Sequence, residues 1–329
     1  MRTLDRRRFL IASAAAGATA ALAACGYRGD EAGGTAWSFT DDRRRKVTAG
    51  KRPKRIVAQV TPAAALWDFG IHSVGIFGPS KLPDGKQDPQ SGSVDLAKTT
   101  SLGNVWGEFN YDKYVSLNPE LLVSVMYLPG ELWYVPKQQA EDIEKAAPTI
   151  GLSLEDSTMP QAIAKFEKLA GALGADLKAG SVTSAKRRFE QASAEFGRVA
   201  KRTSKLRVMA VSVQQDQMYV GNPSAFPTTR YYVERGMNFV VPDNTHETGY
   251  YEELSWENAD RYHADVIMYD DRFSSLKPKD VTGNPTWSRL PAVRAGRLIP
   301  WNSEPPLSYR PVADLLTDLS KDLVAAADQ

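Results

Sequence analysis

The sequence predicts an α/β protein of two lobes, each built on a mostly parallel sheet, with one long rigid helix joining them. Short apolar runs that end at Pro, Gly or polar residues alternate with helical stretches through both halves of the chain. Between the halves lies a proline-free segment with a continuous apolar face. Strands that alternate with helices favour parallel sheets, so each half is predicted to be a Rossmann-like lobe.

The first half contains four strand-like runs and three helical stretches. The predicted strands are 55–60, 73–78, 120–127 and 148–152, and the predicted helices are 62–69, 111–117 and 137–147. Five further strands are predicted in the second half, over 207–213, 217–220, 239–241, 265–269 and 297–301. The lobes are therefore assigned to residues 39–174 and 204–329.

The joining helix is predicted over 175–203. Its apolar positions step alternately by three and four residues, at Val182, Ala185, Phe189, Ala192, Phe196 and Val199. A helix of ~25 residues is roughly 37 Å long, enough to run across both lobes. Such a rod limits hinge motion and suits a binding protein that closes little around its ligand. A long helix buried within one domain is the alternative.

The N-terminus has the layout of an export signal. Arg6-Arg7-Arg8 precedes Phe9-Leu10 and an alanine-rich apolar run that is too short for a confident membrane span. Arg6-Arg7-x-Phe9-Leu10 resembles a twin-arginine signal, although the general secretory route also fits. Leu22-Ala23-Ala24-Cys25 resembles a bacterial lipobox. We expect a signal peptide and lipobox over 1–25, lipidation of Cys25, and a flexible tether over 26–38.

These features place the mature protein on the extracytoplasmic face of the cytoplasmic membrane, held by a lipid. Loss of residues 1–24 removes four Arg and one Asp from the 41 basic and 39 acidic residues, which leaves a formal net charge near −1. This balance argues against a nucleic-acid partner. We expect a monomer.

Cysteine and histidine counts argue against a metal site or a cofactor. Cys25 is the single cysteine, so the mature protein has no disulfide and no Cys-based metal site. The three histidines, His72, His246 and His263, lack the spacing of a ligand set. We therefore predict neither a metal site nor a resident cofactor.

An exported lipoprotein hydrolase is one alternative function. The sequence contains no G-x-S-x-G elbow, H-E-x-x-H, P-loop or G-x-G-x-x-G motif. Asp270 and Asp271 at a strand end fit an acid–base pair or a helix cap. A surface protein that senses or scaffolds is a further possibility.

Several segments resemble, in order, the parts of one family. They are 39–42 with Val47 and 53–57, then 111–123, 146–149, 236–239, 254–257 with 264–267, and 287–298. Together they resemble the helical-backbone (class III) periplasmic binding proteins that serve siderophore, haem and cobalamin importers. The resemblance implies a substrate-binding lipoprotein of an ABC importer, which is not an enzyme and whose partners are a permease and its ATPase. It implies a ferric siderophore ligand, with haem, cobalamin or another chelate as alternatives. The single candidate Arg and the abundant aromatic residues favour a hydroxamate siderophore.

Ligands of open parallel sheets bind beyond the carboxyl ends of the strands, so we expect the site in the cleft between the lobes. Aromatic walls and a guanidinium donor suit a bulky chelate with exposed oxygens. Arg230 is the predicted polar anchor, and the buried-packing alternative applies to every aromatic residue. The predicted ligand contacts are Trp106, Tyr127, Trp133, Tyr219, Arg230, Trp301 and Tyr309.

The resemblance also implies one acidic residue on each lobe that docks on the permease. Asp112 and Glu257 match those regions. An acidic residue also favours the first turn of a helix through the helix dipole, so a purely local role is the alternative for both.

Overall fold

The computed structural model describes residues 36–329. The predicted signal peptide and lipobox over 1–25, with Cys25, and most of the predicted tether lie outside this range.

A five-stranded sheet organises the first lobe, preceded by a hairpin of β1 (Trp37–Thr40) and β2 (Lys46–Ala49). The sheet strands are β3 (Ile56–Gln59), β4 (Gly75–Phe77), β5 (Thr100–Ser101), β6 (Leu121–Met126) and β7 (Thr149–Ser153). They are all parallel, in the order β5-β4-β3-β6-β7. Every residue of β3 and β6 is buried, as expected for a parallel sheet covered on both faces.

The helices of this lobe are α1 (Val60–Asp68), α2 (Tyr111–Ser116), α3 (Ala140–Ala146) and α4 (Met159–Ala172). The chain moves from β3 outward to β4 on one side and returns to β6 on the other side of β3. This reversal of strand order opens a crevice between β3 and β6 at their carboxyl ends. The residues that follow these two strands therefore lie at the base of the cleft.

The second lobe has a six-stranded mixed sheet. Its strands are β8 (Arg207–Val213), β9 (Gln217–Gly221), β10 (Asn238–Phe239), β11 (Tyr251–Ser255), β12 (Val266–Asp270) and β13 (Leu298–Trp301). The order is β11-β9-β8-β12-β13, and β10 pairs with the start of β8. Its helices are α6 (Pro227–Arg235), α7 (Pro285–Arg289), α8 (Pro291–Arg294) and α9 (Tyr309–Asp328).

The strands β9 and β11 depart from the parallel pattern. Both pair antiparallel, β9 with β8 and β11 with β9. The physical reason is the short connection, because residues 214–216 between β8 and β9 allow a hairpin but not a parallel crossover. The strand β11 was absent from the sequence prediction, and it forms the outer edge of this sheet. The α/β fold class of two lobes is confirmed.

The long helix α5 spans Gly180–Arg202. It begins five residues after the predicted start at 175, because Asp176 forms a turn in which its carboxylate accepts from Lys178 N and its carbonyl accepts from Ala179 N. Val182, Phe189 and Phe196 are buried as the periodicity predicts. The helix packs along α9 over most of its length, so it is part of a helix pair rather than a free rod.

The lobes share one continuous apolar core. Its cluster includes Val123 of β6, Phe196 of α5 and Met268 of β12, and so runs from one sheet through the long helix to the other. Interiors of this kind resist deformation because they are packed to crystal-like density. We therefore expect small relative motions of the lobes.

Candidate ligand-binding cleft

The carboxyl ends of the two sheets face a cleft between the lobes. A pocket of ≈ 240 Å³ in this cleft is lined from both lobes, by Tyr127, Leu128, Trp133, Phe226, Thr248, Tyr250, Tyr251, Arg272 and Glu304. A groove of ≈ 490 Å³ continues from it and shares Arg272 and Glu304. Tyr127, Arg272 and Glu304 follow strands, as the strand-end rule requires, whereas Tyr250 and Tyr251 lie at the start of β11.

The first lobe contributes an aromatic wall. Tyr127 follows β6 directly, and its ring lies 5.1 Å from the ring of Trp133. Trp106 lies at the rim, 58% exposed, with its ring 4.8 Å from Trp133 and 5.1 Å from Tyr134. The loop after β6, which contains Trp133, is held to the sheet because Trp133 N donates to Val125 O at 2.8 Å. The structure thus brings three predicted contacts together: Tyr127, Trp133 and Trp106.

Tyr134 has a backbone φ of +63°, which is rare for a bulky residue. Strain of this kind persists where the surrounding structure imposes it, and it concentrates at ligand sites. Burial raises the pKa of Tyr134 to about 12, so its hydroxyl is protonated at neutral pH. The ring lines the groove and contacts Trp106, which extends the wall beyond the predicted residues.

The second lobe faces this wall with three aromatic side chains. The Phe226 ring lies 5.2 Å from the rings of both Tyr250 and Tyr251. The Tyr250 hydroxyl donates to Tyr127 O at 2.9 Å, which connects the two walls across the cleft. Burial raises the pKa of Tyr250 well above its usual value, so the hydroxyl keeps the proton that it donates. Tyr250 and Tyr251 were missed because they lie at the start of β11, which the sequence did not predict, and Phe226 was missed although it follows the predicted strand 217–220.

Arg272, which follows β12, is the cation that lines both the pocket and the groove. Its Nη2 lies 2.8 Å from Asp270 Oδ2, and its Nη1 lies 2.6 Å from Glu304 Oε1. Burial lowers the pKa of Arg272, but Glu304 and Asp270 outweigh this effect and hold it well above its usual value. Three of its five N–H donors are used in these bonds through Nε, Nη1 and Nη2, and the others are free to bind a ligand.

Arg272 therefore takes the place that the sequence analysis gave to Arg230. The guanidinium of Arg230 binds Asp156 Oδ1 at 3.1 Å and Ser157 O at 3.2 Å, both in the first lobe, and also the Ser224 carbonyl. It ties the lobes together and lines neither part of the cleft. The signal that could have found Arg272 was its position just after Asp270 and Asp271, at the end of a predicted strand.

Asp270 is neither an acid–base group nor a helix cap. It is fully buried and holds Arg272 in place with both carboxylate oxygens. Asp271 is exposed, and no helix begins at either residue. Asp270 thus serves the geometry of Arg272.

Three other predicted contacts lie behind the cleft wall or away from it. Trp301 is 2% exposed, packs edge-on against Phe226 at 5.0 Å, and donates through Nε1 to Thr228 Oγ1. Tyr219 lies on β9, where its ring is 6.0 Å from Tyr251. Because these rings face protein on the cleft side, they support the wall and do not form its surface.

Tyr309 lies away from the cleft. It is the first residue of α9, its ring packs against Phe69 and Phe189, and its hydroxyl donates to Glu167 Oε2 at 3.0 Å. The polar segment 302–308 carries the chain past the cleft. The helix α9 begins after it with Tyr309, which packs on the long helix α5. Trp287 is buried at 1% exposure and packs in the core of the second lobe.

Several buried polar atoms near the base of the cleft have no hydrogen-bond partner among residues 36–329. They include Thr61 Oγ1, Tyr251 Oη and Ser303 Oγ. Thr61 is in the first turn of α1 after β3, and Ser303 follows β13. Unpaired buried hydroxyls cost free energy, so the base of the cleft is not optimised for stability.

A pocket of ≈ 690 Å³ lies within the first lobe, beside Trp106 and Tyr134. Its cations are already paired: Arg43 with Asp41 at 2.7 Å, Lys137 with Glu131 at 2.7 Å, and Arg45 with Glu144. No residue of the second lobe lines it. The cleft, which is lined from both lobes, is therefore the stronger candidate site.

The part of the chain that the structure describes contains no cluster of His, Cys, Asp and Glu that could hold a metal ion. Over the same residues, no helix combines the length and the apolar character that a membrane crossing needs.

The predicted docking acids are both exposed. Asp112 lies in the first turn of α2. Glu257 lies in a 3₁₀ turn over Trp256–Asn258, where it accepts from Ser255 Oγ at 3.2 Å. They belong to different lobes and project where a partner could reach them.

Two lobes on a shared core, with a cleft between them at the strand ends, are the architecture of a solute-binding protein. The sequence matches the family described as "Periplasmic binding protein" over residues 57–305, and the chain belongs to that family. Members are binding proteins that work outside the cytoplasmic membrane, so this protein is a receptor and not an enzyme. The resemblance to the helical-backbone class is confirmed.

Solved structures agree with this assignment. The chain is 42% identical to DesE, a ferric-siderophore receptor protein from Streptomyces coelicolor, with 87% of this chain and 97% of that chain covered and a TM-score of 0.83. FeuA from Bacillus subtilis, complexed with ferri-bacillibactin, is 15% identical with a TM-score of 0.66, over 88% and 98% of the two chains. FhuD2 from Staphylococcus aureus, with bound ferrioxamine B, is 17% identical with a TM-score of 0.56, over 83% and 99%. The last two likenesses concern the fold alone. A comparison with curated protein sequences gave no match.

Proposed function

We propose that the protein captures a ferric siderophore, preferably a hydroxamate, in the cleft between its lobes and delivers it to an ABC permease. The 42% identical relative from Streptomyces coelicolor is a ferric-siderophore receptor, which supports the ligand class. The observation that carries the proposal is the composition of the cleft: aromatic walls from both lobes around one charge-compensated arginine.

The size of the cleft supports an organic chelate. The pocket of ≈ 240 Å³ and the groove of ≈ 490 Å³ meet at Arg272 and Glu304. Together they fall within the usual range of roughly 300–1,000 Å³ for small-molecule sites. A bare ion would need several converging ligands, and the described residues hold no such cluster.

The charge of the cleft favours a hydroxamate over a catecholate. Two cations, Lys81 and Arg272, line the cleft together with two carboxylates, Asp88 and Glu304. Asp270, buried behind Arg272, adds a further negative charge. A tris-hydroxamate neutralises the ferric ion, whereas a tris-catecholate leaves the complex strongly anionic. An anionic complex needs an excess of positive charge that this cleft does not offer.

The lipoprotein part of the proposal rests on the N-terminal sequence. Leu22-Ala23-Ala24-Cys25 follows an apolar export signal, which supports diacylglyceryl attachment at Cys25. We expect Cys25→Ser to release the exported protein from the membrane fraction, as tested by fractionation and immunoblotting. Retention of the variant on the membrane would count against the anchor.

The ligand is tested by tryptophan fluorescence titration of a protein that comprises residues 36–329. Trp133 lines the pocket and Trp106 lies at its rim, so a bound ferric complex should quench their emission. We expect submicromolar quenching by ferrioxamine B and weaker or no response to a ferric catecholate, haem or cobalamin. If haem or cobalamin binds more tightly than ferrioxamine B, the protein is instead a receptor for that ligand. No response to any of the four ligands would contradict the proposal.

A further inference from the structure

Phe273 is more exposed than any other large apolar side chain among residues 36–329, at 65%. It follows Arg272 at the carboxyl end of β12 and lines the groove of ≈ 490 Å³. A single exposed apolar residue is ordinary on a protein surface. Here the exposed ring lies on the surface of the candidate site, where a ligand could bury it.

The turn that presents Phe273 is anchored at both ends. Asp271 N donates to Trp301 O at 3.0 Å, and Leu276 N donates to Val213 O at 2.9 Å. These bonds fix the two ends of the turn to the neighbouring strands β13 and β8. The ring of Phe273 is therefore carried on a backbone that is ordered before any ligand arrives.

A half-buried ammonium group holds the middle of the same turn. Lys277 Nζ donates to the carbonyl of Arg272 and, at 2.9 Å, to that of Ser275. These carbonyls flank Phe273 on both sides, so the turn wraps around the ammonium. Preorganisation of this kind lowers the entropy cost of a contact made by the ring.

The opposite lobe places apolar side chains at the same rim. Val105 is 52% exposed and lines the same groove as Phe273, and Trp106 next to it is 58% exposed. Trp106 also contacts Trp133 and Tyr134, so this side of the rim continues the aromatic wall. The groove is thus bordered by exposed apolar groups from both lobes.

We infer that Phe273 is a ligand-binding residue that packs on the apolar spacer chains of a bound chelate, opposite Val105 and Trp106. The metal-binding oxygens of the same ligand then lie deeper, towards Arg272. This inference rests on the proposed function and assigns a subsite within it. The ligand class is a chelate whose binding groups are joined by methylene chains, since such chains bury apolar area against a phenyl ring.

The test compares Phe273→Ser, Phe273→Leu and the control Val241→Ser by titration with ferrioxamine B. Val241 is 62% exposed but lines neither part of the cleft. We expect Phe273→Ser to weaken binding by about ten- to hundredfold, because the ligand loses its apolar partner. Phe273→Leu should stay within about threefold of the wild type, and Val241→Ser should not differ from it.

Thermal unfolding shows whether the variants fold, and exposed positions should leave the Tm unchanged. Unchanged affinity in Phe273→Ser would overturn the inference, as would a loss in Phe273→Leu as large as that in Phe273→Ser. Equal losses in Phe273→Ser and Val241→Ser would also overturn it. In all three cases the wild-type protein still binds the chelate, so the proposed function survives. Failure of the wild type to bind any chelate would instead contradict the proposed function.

Discussion

Arg272 Nη1 lies 2.6 Å from Glu304 Oε1, and the second oxygen of that carboxylate accepts from Gln90 Nε2 at 3.1 Å. Arg272 and Glu304 follow the neighbouring parallel strands β12 and β13, whereas Gln90 belongs to the first lobe. The Glu304 carboxylate thus compensates the positive charge of Arg272 and connects the two lobes. The Arg272–Glu304 pair therefore belongs both to the proposed ligand site and to the contact between the lobes.

Replacement of Arg272 by Met should weaken both ligand binding and the fold. Asp270 would remain buried without its partner, which costs roughly 3–5 kcal/mol of unfolding free energy. Loss of the free guanidinium donors should weaken ferrioxamine B binding about tenfold or more. Urea unfolding and fluorescence titration measure the two effects.

A double variant separates those effects. Asp270→Asn with Arg272→Met removes the buried charge, so we expect stability to recover in part while binding stays weak. Wild-type affinity in either variant would show that Arg272 does not contact the ligand.

Tyr251→Phe should keep or raise the stability of the free protein. The Tyr251 hydroxyl is buried without a partner among the described residues, so its removal deletes an unsatisfied polar group and leaves the ring in place. Tyr250→Phe is the matched variant: it removes the bond to Tyr127 O across the cleft and should cost about 0.5–1.5 kcal/mol. Thermal melts of both proteins test the contrast, and a lower Tm in Tyr251→Phe would show that its hydroxyl is paired in solution.

The contribution of Glu120 to stability should depend on pH. The backbone N–H groups of Lys54 and Arg55 donate to its carboxylate and lower its pKa to about 2, from the ordinary value of 4.5. A lowered pKa in the folded state gives stability that is present above the unfolded pKa and is lost as pH falls through the folded one. Glu120→Gln should therefore melt below the wild type at pH 7, and the difference should shrink between pH 4.5 and about pH 2. A difference that stays constant over this range would contradict the charge effect.

Charge reversal of Asp112 and Glu257 should separate delivery from capture. Both side chains are exposed, on different lobes, and neither lines the cleft. We expect the double variant Asp112→Lys with Glu257→Lys to bind ferrioxamine B normally but to fail in uptake of the iron complex by cells. Reversal of the exposed Asp328 at the C-terminus is the control. Normal uptake by the double variant would place permease docking elsewhere.

The sequence was sufficient for the architecture because periodicity reports burial directly. The spacing of the apolar residues was enough to predict the buried face of α5 at Val182, Phe189 and Phe196. Tyr127 was found at the cleft because it ends a strand of continuous apolar residues, and strand ends of parallel sheets share one edge. Periodicity could not give the antiparallel pairing of β9, which depends on a three-residue connection.

The side chains that complete the cleft were decided by packing between distant segments. Arg230 lies in the first turn of α6 and Arg272 follows β12, and apart from the acidic residues before Arg272 their local sequence does not show which one lines the cleft. The tertiary structure distinguishes them, because Asp156 of the other lobe reaches Arg230 while Asp270 and Glu304 turn Arg272 towards the cleft. Likewise, Trp301 lies behind the cleft wall because Phe226 packs over it, with the two rings 5.0 Å apart.

Local sequence was enough to predict an export signal, the two α/β lobes that the structure confirms, and a ligand site at the ends of the strands. Export signals and hydrophobic periods are local properties, which can be read from neighbouring residues. Only the tertiary structure shows which aromatic rings line the proposed ligand site and which guanidinium faces it. Those properties depend on contacts between residues such as Gln90 and Glu304, which the fold brings together from separate lobes.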